Sequence, residues 1–267
     1  METVLLTKMN GDFDRKLAEA FVREGFRVFA MRGGTCGGTG AGASDGGNGG
    51  GGVGVAPGGA GGEDGTGITP DSTSGSDTGA GASDGAGGVY MLPGDLSLAR
   101  AMVEKEAGKL DIFIELSDER SGLDRFTVRD GLDEKLIRSL YEANVLRPMV
   151  TLEAFIGLLD AGGRKRLCFI MSSEASINEA RGVDGYGYAM SKAAMSNFYQ
   201  MISNRLAPSG YTFRVYDPLL NEIGPEASAE GAYNYFTRRR GTEGENPLRD
   251  DEARLVFRDA YAREHAW

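Results

Sequence analysis

Tyr188 and Lys192 are the residues of this sequence best placed by type and spacing to move a proton. Both fall in a stretch, about 188–207, whose apolar spacing predicts a helix, and a separation of four puts two side chains on one helix face about a turn apart. A nearby ammonium favours the phenolate, so Lys192 is expected to lower the pKa of Tyr188 towards neutrality. That would suit the phenol to give a proton to, or take one from, an alcohol or ketone oxygen. Ser172 and Ser173 end the apolar run Leu167-Cys168-Phe169-Ile170-Met171. A hydroxyl at the carboxyl end of a buried strand faces the crevice in which α/β sheets bind ligands. Asn144 lies on a long helical pattern beside Pro148, where a hydrogen bond within a helix kink is its plainer role. The spacing of Tyr188 and Lys192 is a weak signal by itself, because such pairs also arise by chance and an ordinary helix tyrosine would look the same. His265, at the C-terminal end, is the single histidine, so triads and metal sites built on imidazole are largely excluded. Acid–base chemistry falls to Tyr, Lys, Ser or carboxylates.

These side chains need a parallel sheet to stand on, and the chain reads as one. Val4-Leu5-Leu6 is a short buried-strand run, and Leu17, Ala18, Phe21 and Val22 then recur at helical spacing, closed by Gly25 as a C-cap. Arg27-Val28-Phe29-Ala30-Met31 is the next strand, and such a βαβ opening favours a parallel sheet wrapped by helices. After Gly88 the alternation resumes with Val89-Tyr90-Met91-Leu92, a helix over about 96–107 and the strand Asp111-Ile112-Phe113-Ile114. A long helical pattern spans 133–159, with Pro148 as the expected kink. The strand ending at Met171, the 188–207 helix and the strand Thr212-Phe213-Arg214-Val215-Tyr216 complete the pattern. Residues 219–240 read as an irregular lid, and 253–267 as a helix or a terminal strand pair. At 267 residues one domain, 1–267, is expected.

Within that domain 33–88 is an insertion of different composition: 25 of its 56 residues are glycine, six are Asp or Glu, and none is Lys or Arg. It contains an internal repeat, Thr39-Gly40-Ala41-Gly42-Ala43-Ser44-Asp45-Gly46 recurring as Thr78-Gly79-Ala80-Gly81-Ala82-Ser83-Asp84-Gly85. A segment so poor in apolar side chains buries too little surface to offset backbone ordering, so a flexible acidic insertion is expected. A Gly-rich partner surface, packed polyglycine-like strands and a calcium-binding repeat are the alternatives; the last lacks the tandem nonapeptide pattern. Loop-closure entropy grows slowly with length, so a domain tolerates such an insertion at modest cost.

A net charge of −10 and a pI near 4.8 argue against a nucleic-acid groove or an acidic membrane surface, both of which need clustered cations. Arg238-Arg239-Arg240 is the only basic run and reads as a solvated loop. Cys36 and Cys168 are far apart and indicate neither a disulfide framework nor a thiolate metal site. The N-terminus lacks a basic lead and a cleavage site, and no apolar run approaches the roughly 18 residues of a membrane span. A cytoplasmic protein, bound to neither nucleic acid nor membrane, is expected.

With Tyr188-Ala189-Met190-Ser191-Lys192, Ser172-Ser173 after an apolar strand, and Glu142-Ala143-Asn144-Val145-Leu146, the chain resembles the short-chain dehydrogenase/reductase family. The resemblance runs through 4–31 and 89–218 and skips the insertion. It implies a single doubly wound, Rossmann-like α/β domain with a parallel sheet, and a long Gly-rich insertion after the second strand. It implies Tyr188 as general acid/base, Lys192 as the group that tunes it and holds the nicotinamide ribose, Ser173 as the residue that orients the substrate oxygen, and Asn144 as the holder of a proton-relay water. Ser173 precedes Tyr188 by fifteen residues, two more than is usual in the family, so Ser176 is a second candidate. A homodimer or homotetramer through the helices at 133–159 and 188–207 is implied as well.

The cofactor half departs from the family. Where its first strand leads into a glycine-rich turn that lets backbone amides approach a pyrophosphate, this chain reads Thr7-Lys8-Met9-Asn10-Gly11-Asp12-Phe13-Asp14-Arg15. Lys8, Asp12 and Asp14 stand where glycines belong, and each carboxylate near the phosphates would cost about 1 to 3 kcal/mol at intermediate dielectric. Lys8 or Arg15 could offset part of that. The Asn-Asn-Ala-Gly expected after the fourth strand is Glu115-Leu116-Ser117-Asp118, and the Pro-Gly after the sixth is Pro218-Leu219. The helix that normally follows the second strand gives way to the insertion. Arg32 at the end of the second strand is placed to meet a 2′-phosphate, so any surviving preference is for NADP. With Thr7 and Gly11, these are the candidate cofactor residues.

The resemblance implies an oxidoreductase moving hydride between NADP(H) and a carbonyl or alcohol. A non-catalytic relative that binds no dinucleotide and serves oligomer formation or partner binding is the alternative favoured by the eroded turns. Cofactor-independent chemistry in the same pocket is a third reading, as in halohydrin dehalogenases with their Ser-Tyr pair; those replace the motif lysine with arginine, and Lys192 argues against it. No signature of the substrate is present in 178–187 or 219–240.

Overall fold

In the computed structural model, residues 1–32, 84–85, 88–238, 251–252 and 254–267 are described. The expected insertion at 33–88 lies outside them except for Asp84, Gly85 and Gly88, as do Arg239, Arg240 and Cys36.

Seven parallel strands form one sheet: β1 (Thr3–Leu6), β2 (Arg27–Met31), β4 (Val89–Leu92), β5 (Ile112–Glu115), β6 (Arg166–Ile170), β7 (Thr212–Asp217) and β8 (Phe257–Asp259), in the order β4-β2-β1-β5-β6-β7-β8. A two-residue strand, β3 (Asp84–Gly85), lies antiparallel beside β4. The order runs outward from β1 in one direction and from β5 in the other, so the topological switch lies between them and opens a crevice at their carboxyl ends. This is the doubly wound parallel sheet that the strand–helix alternation predicts.

The strands read as near-continuous apolar runs because helices cover both faces. On one face Phe113, Leu167 and Phe169 pack with residues of α2 (Leu96–Ala107), α4 (Arg147–Asp160) and α5 (Tyr186–Leu206), including a stacked contact of Phe169 with Tyr199 at 3.8 Å. On the other, Val4, Ile112, Ile114 and Cys168 meet Phe21 of α1 (Asp12–Arg23) and Ala229 and Phe236 of α6 (Leu220–Thr237). Gly25 takes φ 83° just beyond α1, the left-handed turn that stops the helix and feeds β2. Cys168, buried with its thiol pushed up to about 12 by desolvation, is an inert core residue.

Two sequence expectations change, and a third, open between two forms, is decided. The long helical pattern is α3 (Glu134–Tyr141), a π-helical turn over Glu142–Leu146 that includes Asn144, and α4, with helical backbone continuing through the junction and Pro148 two residues beyond the π-helical turn. The stretch expected to be an irregular lid is largely α6, interrupted at Gly224, whose φ of 77° only glycine adopts readily, and restarted at Pro225. Of the two forms expected for the C-terminal segment it is the strand that forms: β8, with an isolated antiparallel bridge between Arg258 and Glu264, and no helix among the described residues. Among the described residues no helix is long and apolar enough to cross a membrane.

The C-terminal strand is fastened by buried ion pairs. Glu252 takes bonds from Arg166, at 2.8 Å, and from Arg214, while Asp251 receives both ends of the Arg258 guanidinium at 2.7 and 2.8 Å and one from Arg238 at 2.6 Å. Removing one member of such a set leaves uncompensated charge in the interior. Glu252→Gln is therefore expected to lower the unfolding free energy by about 3 kcal/mol, read as a fall in denaturation midpoint with secondary structure retained at low temperature.

Candidate functional site

Thr7 continues β1 into the crevice: its amide donates to Ile114 O at 3.0 Å and its hydroxyl accepts from Leu116 N at 3.1 Å. The next turn closes on itself. Asp14 Oδ2 accepts from the amides of Asn10 and Gly11 at 2.9 and 3.0 Å, so the start of α1 is capped by its own carboxylate. Burial raises the Asp14 carboxyl, against the lowering effect of those amides and of Lys8 and Arg15. Arg15 pairs with Asp12 on the surface.

Beyond β5 the chain runs extended across the crevice, and alternate side chains go to opposite sides. Glu115, Ser117 and Glu119 line a cavity of about 350 Å³ together with Thr7, Lys8 and Arg32. Leu116, Asp118 and Arg120 line another of about 600 Å³ with Gly11, Asp14, Ser172 and Ser173. The segment 115–120 thus separates the two cavities. It is held there by Lys8 on Glu119 at 2.5 Å and by Asn144, whose Oδ1 accepts from Glu119 N at 2.8 Å and whose Nδ2 donates to Glu119 O at 2.9 Å and Ser191 Oγ at 3.1 Å. Glu115 is buried; its Oε1 accepts from Ser117 N at 2.7 Å, its Oε2 has no hydrogen-bond partner among the described residues, and burial raises its carboxyl.

The helix that carries Tyr188 is started from a distance. Gly185 at its N-terminus has φ 71° and no side chain to cap with, and Asp124 from another loop supplies both oxygens, to Gly187 N at 3.1 Å and Tyr188 N at 2.8 Å. A Cβ at Gly187 would stand 2.9 Å from Leu140 Cδ1 and 3.1 Å from Asp124 Oδ2, so the bare glycine lets this cap approach. Tyr188 and Lys192 are then 4 % and 1 % exposed and share one partner. The Tyr188 hydroxyl donates to Asp118 Oδ1 at 2.5 Å, and Lys192 Nζ lies 3.2 Å from the same oxygen while donating to Ser117 O at 2.7 Å. Arg120 Nη2 donates to the Tyr188 oxygen at 2.6 Å, its guanidinium lies 3.8 Å from the ring centroid, and Nη1 reaches Glu174 at 2.7 Å.

The expected lowering of the Tyr188 pKa is overturned. Burial and then the Asp118 carboxylate push the phenol well above its ordinary value, and Arg120 offsets only part of this. Burial likewise pushes Asp118 up, but Lys192, the Tyr188 hydroxyl and Arg120 outweigh it and hold this carboxyl below its usual range. The phenol is therefore a firm hydrogen-bond donor to a carboxylate.

Ser173 lines the larger cavity, its amide donating to Asp217 Oδ2 at 2.9 Å, whereas Ser176 is 2 % exposed, accepts from Glu179 N at 3.1 Å and does not line it. Thr7, Lys8 and Arg32 fall on one side of the divide, Gly11 on the other, and Arg15 on neither cavity wall. Sequence reasoning missed Asp124, Glu119 and Arg120, and it noted Asp118 only as a departure from a pattern. The available signal was three consecutive charged residues, Asp118-Glu119-Arg120, beginning three residues after the end of a buried strand.

No protein-family model and no curated protein sequence matches the chain. Solved structures do. The carbonyl reductase Sniffer of D. melanogaster superposes with a TM-score of 0.66 at 12 % identity, covering 100 % of both chains. A putative short-chain dehydrogenase/reductase from Burkholderia multivorans with bound NADP gives 0.63 at 16 %, covering 100 % of this chain and 99 % of that one. A carbonyl reductase from Pseudomonas aeruginosa PAO1 in complex with NADP gives 0.59 at 17 %, again over 100 % of both. The chain has the short-chain dehydrogenase/reductase fold.

Set in that fold, the crevice fits a dinucleotide in part. The cavity beside Thr7, Lys8 and Arg32 has cations and room for a phosphorylated nucleoside. The middle fits less well in this conformation: the Asp14 carboxylate sits on the amides of Asn10 and Gly11 just before α1, where the negative charge of a pyrophosphate would meet it, and Asp118 stands on Lys192.

Because its folded-state pKa is depressed, Asp118 contributes stability that is present above its ordinary value of 3.8 and is lost as pH falls through the folded value. The stability difference between wild type and Asp118→Asn should accordingly be constant near neutrality and shrink in acid, as read from denaturant midpoints across pH.

Proposed function

We propose that the chain is an oxidoreductase of the short-chain dehydrogenase/reductase type that works on a small carbonyl or alcohol with NADP(H), and that its resting crevice is held by internal carboxylates. The observation that carries this reading is that Tyr188 and Lys192 meet on the carboxylate of Asp118, which lines, with Ser173, the cavity at the carboxyl ends of β6 and β7. When bound, the nicotinamide supplies or accepts the hydride. Tyr188 holds the proton at the substrate oxygen, Ser173 offers that oxygen a second hydroxyl, and Lys192 supplies positive charge behind the phenol. Asn144 fixes the segment 115–120 through Glu119 rather than facing the cavity, so its part is to position that segment. Arg32 supports NADP over NAD, because a phosphorylated nucleoside in this cavity would lie against its guanidinium, whereas Lys8 on the same wall is engaged by Glu119.

Displacing Asp14 and Asp118 sets the affinity. Hydrogen bonds to charged groups contribute about 1.5 to 3 kcal/mol each, and an affinity is reduced by the fraction of molecules in the competent state. Binding some 100-fold weaker than that of an open crevice is therefore expected. A calorimetric titration with NADPH and NADH at low and moderate salt tests the reading: sub-millimolar binding, tighter for NADPH, supports it, and no binding at millimolar cofactor sinks it. Carbonyl reduction, once detected, should fall by at least about 100-fold in Tyr188→Phe.

A second reading is favoured by the Asp14 cap and the separation of the two cavities: a non-catalytic relative that binds no dinucleotide and acts as an oligomer or a partner-binding protein. Both readings accommodate a homodimer or homotetramer. Tyr141, Leu146 and Val150 on the α3–α4 side and Met190 and Met201 on α5 are exposed apolar residues on the two helices through which self-association is expected. Sedimentation equilibrium should give twice or four times the chain mass, and Val150→Glu together with Met201→Glu should reduce it to one.

A further inference from the structure

Three donors converge on the Asp118 carboxylate from different parts of the fold. Tyr188 Oη lies 2.5 Å and Lys192 Nζ 3.2 Å from Oδ1, and Arg120 Nε lies 3.4 Å from Oδ2. Tyr188 and Lys192 are fixed by α5, one turn apart and buried, and Lys192 is held further by the carbonyls of Ser117 and Ile170. Arg120 is braced against the Tyr188 ring and Glu174. These donors are thus positioned by contacts other than the carboxylate they share. The carboxylate arrives on a single short side chain that lines the open cavity and is 37 % exposed. One phenol, one ammonium and one guanidinium around a single anionic group make a receptor for a carboxylate, with charge-assisted bonds on both oxygens.

We propose that Tyr188, Lys192 and Arg120 form a binding site for a small monocarboxylate, and that Asp118 is its resident ligand. Without Asp118 the cluster keeps two cations and a buried phenol, with Glu174 engaging only Nη1 of Arg120, so the site takes up a free carboxylate of matching size. Formate is the group that Asp118→Ala removes, because alanine retains the Cβ. Larger carboxylates reach the site from the cavity of about 600 Å³ that Asp118 faces. The inference stands on the geometry of the four side chains and does not require that a dinucleotide bind.

The test is thermal unfolding of full-length wild type, Asp118→Ala and Asp118→Asn in sodium formate, sodium acetate and sodium chloride at equal ionic strength. Formate should raise the midpoint of Asp118→Ala by about 3 °C over chloride. It should leave wild type and Asp118→Asn unshifted, since in both the position is already filled. No shift over chloride in Asp118→Ala, or an equal shift in wild type, overturns the proposal. Should Asp118→Ala not fold, the isosteric Asp118→Asn still decides. Its Tyr188 phenol, followed by phenolate absorbance against the corresponding Tyr188→Phe variant, should ionise at lower pH than in wild type, and an unchanged titration overturns the proposal. NADPH titrations of the same variants separate this site from the oxidoreductase reading. Formate stabilisation with no NADPH binding in any variant removes that reading and leaves the carboxylate site; NADPH binding with no formate effect does the reverse.

Discussion

A buried ammonium and a buried phenol at the end of a parallel sheet need a partner, because taking either out of water without one is costly. In this chain the partner is covalently attached. Asp118 follows β5 by three residues, close enough along the backbone to lie over α5, and its carboxylate completes the hydrogen bonding of Tyr188 while facing Lys192. The position of the segment 115–120, the separation of the two cavities and the orientation of Arg120 all follow from that attachment. Asn144 reinforces it from the π-helical turn, where the looser backbone brings its side-chain amide against both backbone groups of Glu119.

The consequence for chemistry is a matter of charge. A tyrosine that donates to a carboxylate is a poor acid, since ionising it would set two negative charges side by side. The same tyrosine opposite a substrate oxygen, with Lys192 behind it and Asp118 withdrawn, has the opposite bias. Proton-transfer competence is therefore coupled to where 117–120 sits, and a ligand shifts that equilibrium only by what it gains over Asp118. The Asp14 cap acts on the other half of the crevice in the same way, placing a carboxylate on the amides of Asn10 and Gly11 just before α1 that would otherwise attract an anion.

Away from the crevice the fold rests on ordinary means. Both sheet faces are apolar and helix-covered, and the last strand is fastened to β6 and β7 by arginines paired with Asp251 and Glu252. These pairs lie among Arg166, Arg214 and Arg258, so they fix the C-terminal segment without drawing on the residues of the candidate site.

The strand runs, the helix at 96–107 and the helix carrying Tyr188 and Lys192 were legible because apolar periodicity and glycine stops are local properties of a chain. So was the doubly wound sheet, since alternating strands and helices leave few other arrangements. Asn144 was legible as a residue beside an irregularity because Pro148 marks the place in the sequence; that the irregularity is a π-helical turn was not legible. The helix at 220–237 was hidden by Gly224 and Pro225, which locally read as breakers and in the fold mark only a restart. By itself the sequence determined the sheet, its helices and the pairing of Tyr188 with Lys192 on one face. Only the tertiary structure decided that Asp118, 70 residues before Tyr188 in the chain, would meet both and reverse the expected shift of the phenol. The physical reason is that a pKa answers to charges within a few ångströms in space, which spacing along a chain does not reveal.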